Sequence, residues 1–262
     1  MHRPREKTTA MATSPVTIQP ITVAAAPGQR RGAWTTVLTA ALTAVSILFV
    51  GMMLIDGEVI PPLAIFGVVF AGLAAGVTMT ARRWMSAVAG LASLAILVLH
   101  AIFGLEDFAH PESFFSFVPT LAVVTGCTLA VISAAAVTFR LPARAAYPAG
   151  GAAIAIVAAA IAVSGVATAR LESDARGSSD VTVVARDVEF PGTVTVNAGE
   201  VSFFVQNKDR FRHTFVIEGQ DVKTELPGST ARRVTATLAP GTYTFKCDVP
   251  GHDAMKGTLI AR

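Results

Sequence analysis

Five apolar runs dominate the first two thirds of the chain and leave few folds open to it. The runs are Trp34–Ile55, Val59–Thr80, Trp84–Leu105, Phe114–Phe139 and Tyr147–Ala169. Each has about 20 residues or a little more, which is the length that a helix needs to cross a hydrocarbon core of about 30 Å. Because a membrane span must satisfy its backbone polar groups internally, we expect an α-helical membrane bundle of five transmembrane helices within residues 32–170.

Basic residues lie in alternate connections between the apolar runs. Arg82 and Arg83 separate the second run from the third, and Arg140 and Arg144 separate the fourth from the fifth. The other two loops contain no Lys or Arg, whereas residues 1–31, which we expect to form a disordered tail, contain five. The positive-inside rule therefore predicts a multi-pass plasma-membrane protein with a cytoplasmic N-terminus and an extracytoplasmic C-terminal part.

The residue pattern changes after a polar segment at residues 171–180, which we expect to be a flexible linker. Seven short alternating segments follow it: Val181–Ala185, Thr193–Val196, Val201–Gln206, His213–Ile217, Arg232–Leu238, Thr242–Cys247 and Gly257–Ala261. Pro-Gly and Asn-Ala-Gly turn signals separate several of them. Short strands punctuated in this way predict an all-β sandwich over residues 181–262.

One loop of this predicted sandwich concentrates three metal-binding residue types. Cys247, His252 and Met255 lie within nine residues, between two predicted strands. A thiolate, an imidazole and a thioether are soft ligands, and two His with one Cys and a weak axial Met is the pattern of a blue copper site. The predicted domain contains only one other histidine, His213, which we expect to complete the set. The second cysteine of the chain, Cys127, lies in an apolar run, so Cys247 is a lone thiol in its domain.

Residues 181–262 resemble the cupredoxins, the plastocyanin-like family of small copper sandwiches. The resemblance lies in the segments FPGTVTVNAGEVSFFVQN, HTFVI and YTFKCDVPGHDAMKGTL. It implies a Greek-key sandwich that holds one mononuclear copper ion, Cu(I) or Cu(II), with the ligands His213, Cys247, His252 and Met255. Zinc would favour a closed Cys/His set without a thioether, and a binuclear copper site would need a second cysteine in the loop.

From these features we expect a membrane-anchored type 1 (blue) copper protein that carries single electrons on the outer face of the membrane. The alternative is an extracytoplasmic copper-binding protein for copper acquisition, chaperoning or sensing. An enzyme is disfavoured because the chain has five histidines, of which two lie in the predicted domain, too few for an additional catalytic copper centre. The expected partners are the lipid bilayer and a redox protein that docks near the copper loops, and no nucleic acid.

Several residues near the expected site allow two interpretations. Lys208, Arg210 and Arg212 precede His213 and form either a solvated loop or a docking rim for an acidic redox partner. The family resemblance implies that the exposed edge of His252 is the port for electrons, and the backbone N–H of Thr214 is expected near the cysteine sulfur.

In the membrane region, the histidines and methionines near the outer ends of the helices are either ordinary packing residues or part of a copper relay or haem site beneath the sandwich. They are His100, His110, Met52 and Met53.

Overall fold

The computed structural model describes residues 32–57, 59–80 and 82–262; the predicted tail at residues 1–31 lies outside the described part. Five long helices occupy its N-terminal part: α1 (Ala33–Asp56), α2 (Pro61–Thr80), α3 (Arg83–Phe103), α4 (Phe114–Phe139) and α5 (Ala146–Ala169). Within the described residues, these five helices are long and apolar enough to cross a membrane. The five predicted helices are thus confirmed, with ends that differ by no more than a few residues.

Small residues let neighbouring helices of this bundle approach closely. A Cβ atom added to Gly126 of α4 would lie 2.7 Å from Cγ2 of Val45 in α1, and one added to Gly90 of α3 would lie 2.8 Å from Cβ of Ala134. Because lipid tails are as apolar as the side chains, such tight packing, rather than the exclusion of water, holds membrane helices together. Helix α4 contacts α1, α3 and α5 and so forms the centre of the bundle.

The C-terminal part is a β-sandwich of two sheets. The strands are β1 (Val181–Ala185), β2 (Thr193–Val196), β3 (Gly199–Asn207), β4 (His213–Ile217), β5 (Val222–Leu226), β6 (Ala231–Leu238), β7 (Gly241–Lys246) and β8 (Lys256–Ala261). One sheet has the order β1-β3-β6 and the other β2-β8-β7-β4-β5. All seven predicted strands are present. Sequence analysis missed β5, a short strand with only its two end residues buried that pairs with β4 at the edge of its sheet.

Phenylalanine side chains from both sheets fill the centre of the sandwich. Phe215 on β4 packs against Phe203 on β3, Phe190 and Phe245 on β7, with ring centroids 5.7–5.9 Å apart. Aromatic pairs at this separation add to the large apolar area that each ring buries. This core fixes β4 and β7 against each other, and these are the strands that carry the candidate ligands.

The segment that joins the bundle to the sandwich lies along β6. The Ser173 hydroxyl accepts a hydrogen bond from the backbone N–H of Ala231, and an Asp174 carboxylate oxygen accepts one from the N–H of Arg233. Asp180 forms a bidentate pair with the Arg233 guanidinium, with N–O distances of 2.9 Å. The segment 171–180, which the sequence predicts to be a flexible linker, is therefore held to the edge of the sandwich.

Candidate metal centre

Three donor atoms converge at one end of the sandwich. His213 is the first residue of β4, Cys247 directly follows β7, and His252 lies on the loop to β8. Their ligand atoms all lie within 4.8 Å of one another. The two Nδ1 atoms are 3.2 Å apart, and the Cys247 Sγ lies 3.5 Å from Nδ1 of His252 and 3.9 Å from Nδ1 of His213. The structure thus brings together two histidines and a cysteine of which His213 and His252 lie 39 positions apart in the sequence.

Backbone hydrogen bonds hold the loop between β7 and β8 in a compact shape. The N–H of Cys247 donates to the carbonyl of Met255, and the N–H of Met255 donates to the carbonyl of His252. Gly251 turns the chain at φ +88°, a left-handed conformation that glycine adopts readily. Met255 is only 1% exposed and belongs to the same buried cluster as Cys247. The loop therefore buries the Met255 side chain in the same apolar cluster as Cys247.

A carboxylate that sequence analysis missed orients His213. Asp209 Oδ2 lies 2.7 Å from Nε2 of His213, and the Asp209 carboxylate also accepts hydrogen bonds from the backbone N–H groups of Asp187 and Val188. An ionised carboxylate only accepts, so Nε2 carries the ring proton and the lone pair of Nδ1 faces the thiol and His252. The signal in the sequence was an aspartate four residues before the histidine, in a segment that is otherwise conspicuous for its basic residues.

Burial favours the neutral form of both imidazoles, the form that binds a metal. Burial lowers the pKa of His213, although the Asp209 carboxylate opposes this shift. Burial lowers the pKa of His252 to about 4, and repulsion from a protonated His213 and from Arg212 adds to this shift. Burial alone would raise the pKa of Asp209, but hydrogen bonds from His213 and from two backbone N–H groups lower it overall. Asp209 is thus ionised and accepts a hydrogen bond from Nε2–H of His213.

Hydrogen bonds also reach the cysteine sulfur. The backbone N–H of Thr214 lies 3.4 Å from Sγ of Cys247, as expected from the sequence. The Thr214 hydroxyl donates to Asp248 at 2.6 Å, and Asp248 in turn pairs with Lys223 at 2.8 Å. An N–H donor beside a metal-bound thiolate withdraws electron density from the sulfur and tunes the redox potential of the metal.

The donor set fits a single copper ion. It offers one thiol sulfur and two imidazole nitrogens on adjoining ends of β4 and β7, with a buried thioether in the same loop. This mixture of two His, one Cys and a Met is the ligand combination of type 1 copper. A cluster with three close donors and a weak fourth differs from the closed tetrahedral sets that bind structural zinc.

Comparison with known proteins agrees with this fold. Residues 152–261 match the family model described as the cupredoxin-like domain. The C-terminal part of the chain therefore contains a cupredoxin-like domain. The match begins at residue 152, inside α5. The sequence pattern predicts a later start of the domain, at residue 181. No curated protein matches the chain.

Solved structures of three other proteins each align with about a third of the chain. Amicyanin from Paracoccus versutus is 17% identical over 33% of this chain and 85% of its own, with a TM-score of 0.28. The His143Met variant of rusticyanin is 21% identical over 33% and 80%, with a TM-score of 0.26. A Cu-containing nitrite reductase from Thermus scotoductus is 24% identical over 35% of this chain, which spans only 24% of that enzyme, with a TM-score of 0.27.

Arg212, next to the ligand candidate His213, anchors the cupredoxin domain to the helix bundle. Its side chain is 3% exposed and donates to Asp107 and Glu106, both at 3.1 Å, in a short 3-10 helix that follows α3. A third bond at 3.3 Å reaches Glu225 on β5. The basic segment before His213 is therefore neither simply solvated nor fully available to a partner, because Arg212 binds acidic groups of its own chain.

A second arginine extends the contact between the domain and the bundle. Arg210 donates to the backbone carbonyl of Ile55 at 3.0 Å, and its guanidinium lies 5.8 Å from the ring centroid of Phe115 at the start of α4. Arg210 and Arg212 thus hold the candidate metal site of the cupredoxin domain against one end of the helix bundle. The loops at this end contain no Lys or Arg.

The ring of His252 faces this contact and is only partly exposed. It borders a cavity of about 930 Å³ between the cupredoxin and the helix ends, which Met52 and His100 also line. Among the residues weighed for a membrane-side site, His110 instead lies 3.0 Å from a Glu112 carboxylate oxygen. The expected electron port at His252 thus opens toward the bundle.

Proposed function

We propose that this chain is a type 1 copper protein, anchored in the membrane by its five helices, that carries single electrons at the outer face. The observation that carries the proposal is the convergence of His213, Cys247 and His252 within 4.8 Å in a cupredoxin-like domain. A bound copper ion would supply a one-electron centre that alternates between Cu(I) and Cu(II). We propose Met255 as its weak axial ligand, because its thioether is buried beside Cys247.

The residues around the donors hold them in one arrangement. Asp209 fixes the His213 ring and its tautomer, and the loop's own backbone hydrogen bonds hold Cys247 against Met255. Ligands that barely move when the charge of the metal changes keep the reorganisation energy of electron transfer low. The N–H of Thr214 compensates part of the negative charge on the sulfur.

Charge distribution supports the outer-face orientation. The basic connections at Arg82 and Arg140 lie at one end of the helices, and the cupredoxin packs through Arg210 and Arg212 on the other. Since basic loops remain in the cytoplasm, the copper domain belongs outside.

A redox protein partner would dock at a depression of about 630 Å³ that reaches Cys247 and is lined by residues of the sandwich alone. Lys246, Lys256 and Asp253 border it. Charged groups of both signs around a docking site steer the approach of a complementary partner more than they tighten the complex.

The proposal is tested on the full chain in detergent or nanodiscs, loaded with Cu(II). Intense thiolate-to-copper absorption in the visible range and narrow copper hyperfine splitting are expected. Cys247→Ser removes both signals. Cys127→Ser, a change of the same chemistry in α4, leaves them intact. A colourless protein that binds only Cu(I) would contradict electron transfer and favour copper acquisition or chaperoning.

A further inference from the structure

The cavity between the cupredoxin and the bundle has the size and lining of a ligand site. Its volume of about 930 Å³ lies within the range of about 300–1,000 Å³ that is typical of small-molecule sites. Each of four helices contributes a phenylalanine to the wall: Phe49, Phe66, Phe103 and Phe115. Aromatic walls suit a flat ring, which packs against them by its face or edge.

The cavity lies at the level where the helices leave the membrane. Ile55, at the end of α1, and Phe103, at the end of α3, both line it and are about half exposed at the outer surface of the bundle. A molecule dissolved in the bilayer therefore reaches the cavity between the helix ends without passing through water.

Polar groups face the apolar wall from two sides. Nδ1 of His100 lies 3.1 Å from the carbonyl of Ile96, so it carries the ring proton, and Nε2 is left as a hydrogen-bond acceptor. No group among the described residues is hydrogen-bonded to that Nε2. On the opposite side is His252, whose Nδ1 points to the candidate metal site, which leaves its Nε2 with the proton as a donor. The cavity thus offers an acceptor and a donor to one ligand.

We propose that this cavity binds the ring of a lipid-soluble quinol. Such a molecule has an apolar tail for the bilayer, a flat ring for the phenylalanines, one hydroxyl that donates to Nε2 of His100 and a second oxygen that accepts from Nε2 of His252. The choice of a redox-active ring rests on the proposed function, since it lies beside a ligand of a one-electron centre. A lipid acyl chain would leave both part-buried histidine nitrogens without a partner, which costs free energy.

Binding is measured on the full chain in phosphatidylcholine nanodiscs after copper has been removed, with radiolabelled decylubiquinol, kept reduced under anaerobic conditions, as the probe. We expect saturable binding of one molecule per chain. His100→Leu removes the acceptor and weakens binding at least tenfold, and Leu63→Trp fills the cavity and abolishes saturable binding. His110→Leu, the same change outside the cavity, leaves binding unaltered. Circular dichroism establishes that each variant retains its fold.

Two results would overturn the proposal. Non-saturable uptake that is equal in all variants would mean that the probe only partitions into lipid and that acyl chains fill the cavity. Saturable probe binding that is unchanged in both His100→Leu and Leu63→Trp would mean that the quinol binds elsewhere and not in this cavity. Because the assay uses copper-free protein, it tests ligand binding independently of the copper spectrum that tests the proposed function.

Discussion

The helix bundle and the cupredoxin domain are stabilised in opposite ways. The bundle turns large apolar side chains outward, such as Leu54 and Val68, and uses glycines where helices meet. The sandwich turns its large apolar side chains inward and gathers phenylalanines at its centre. In water, burial of apolar area drives folding, whereas in lipid an apolar side chain gains little from burial and close packing matters more.

Buried polar groups separate the two regions further. In the sandwich, Asn207, Arg212 and His213 are each almost completely buried, and each has several hydrogen-bond or ion-pair partners. In the described part of the bundle, the buried Ser46 hydroxyl donates to the Gly67 carbonyl, and the buried Ser133 hydroxyl has no hydrogen-bond partner. The chemistry of the molecule is therefore concentrated in the sandwich, and the bundle determines where that chemistry takes place.

The largest expected effect comes from removing one buried phenylalanine ring in each of the two regions. Phe215→Ala in the sandwich and Phe70→Ala in the bundle both remove a ring that is at most 1% exposed. We expect the sandwich variant to lose about 3–5 kcal/mol of unfolding free energy, and the bundle variant clearly less, because its reference state stays in lipid. Urea unfolding of the sandwich and unfolding of the bundle in mixed detergent micelles measure the two losses. Equal losses would contradict the distinction.

The contact between the two regions depends on Arg212. Arg212→Gln leaves the Asp107 and Glu225 carboxylates without their shared cation. Since Glu106 and Glu225 are partly solvated, we expect a loss of about 1–3 kcal/mol, less than for a fully buried pair. Spin labels on the two regions should then show a broader distribution of distances. Arg186→Gln, the same change at an exposed position of the sandwich, should alter neither quantity.

Asp209 tests whether the hydrogen bonds around the donors matter as much as the donors themselves. Asp209→Asn weakens the bond to Nε2 of His213, and we expect about a 10–100-fold loss of copper affinity, as for other partners of metal-binding histidines. Competition with a chelator measures the affinity. Asp187→Asn changes a neighbouring exposed side chain and serves as the control, for which an unchanged affinity is expected.

The smallest effect is a pH dependence of sandwich stability. A hydrogen bond from Arg233 lowers the pKa of Asp180 below its usual value. Its contribution to stability is therefore complete above the unfolded-state pKa of about 4 and is lost as the pH falls through the lowered pKa of the folded state. Unfolding at pH 7 and pH 3 should show a smaller difference in Asp180→Asn than in the unaltered protein. Asp221→Asn, at an exposed position, should keep the full difference.

Local patterns in the sequence were sufficient for the helices, most strands and the ligand loop. A membrane helix forms its backbone hydrogen bonds within itself, so each apolar run predicts its own structure. Alternating residues and turn signals do the same for seven strands. Cys247, His252 and Met255 lie on one loop, so their proximity follows from their spacing alone. The edge strand β5 was not predicted, because its residue pattern is too short and too polar to be recognised without the neighbouring strand.

Only the tertiary structure decided what surrounds the site. The pairing of Arg212 with Asp107 joins residues 105 positions apart, and no local pattern specifies which of several acidic groups an arginine will meet. In the sequence, Asp209 lies among basic residues and shows no sign of its role. The loop that precedes β4 places its carboxylate beside His213. The cavity that His252 shares with the helix ends exists because two separately predictable regions pack against each other. Such contacts are set by the shape and charge of whole surfaces, which a single stretch of sequence does not contain.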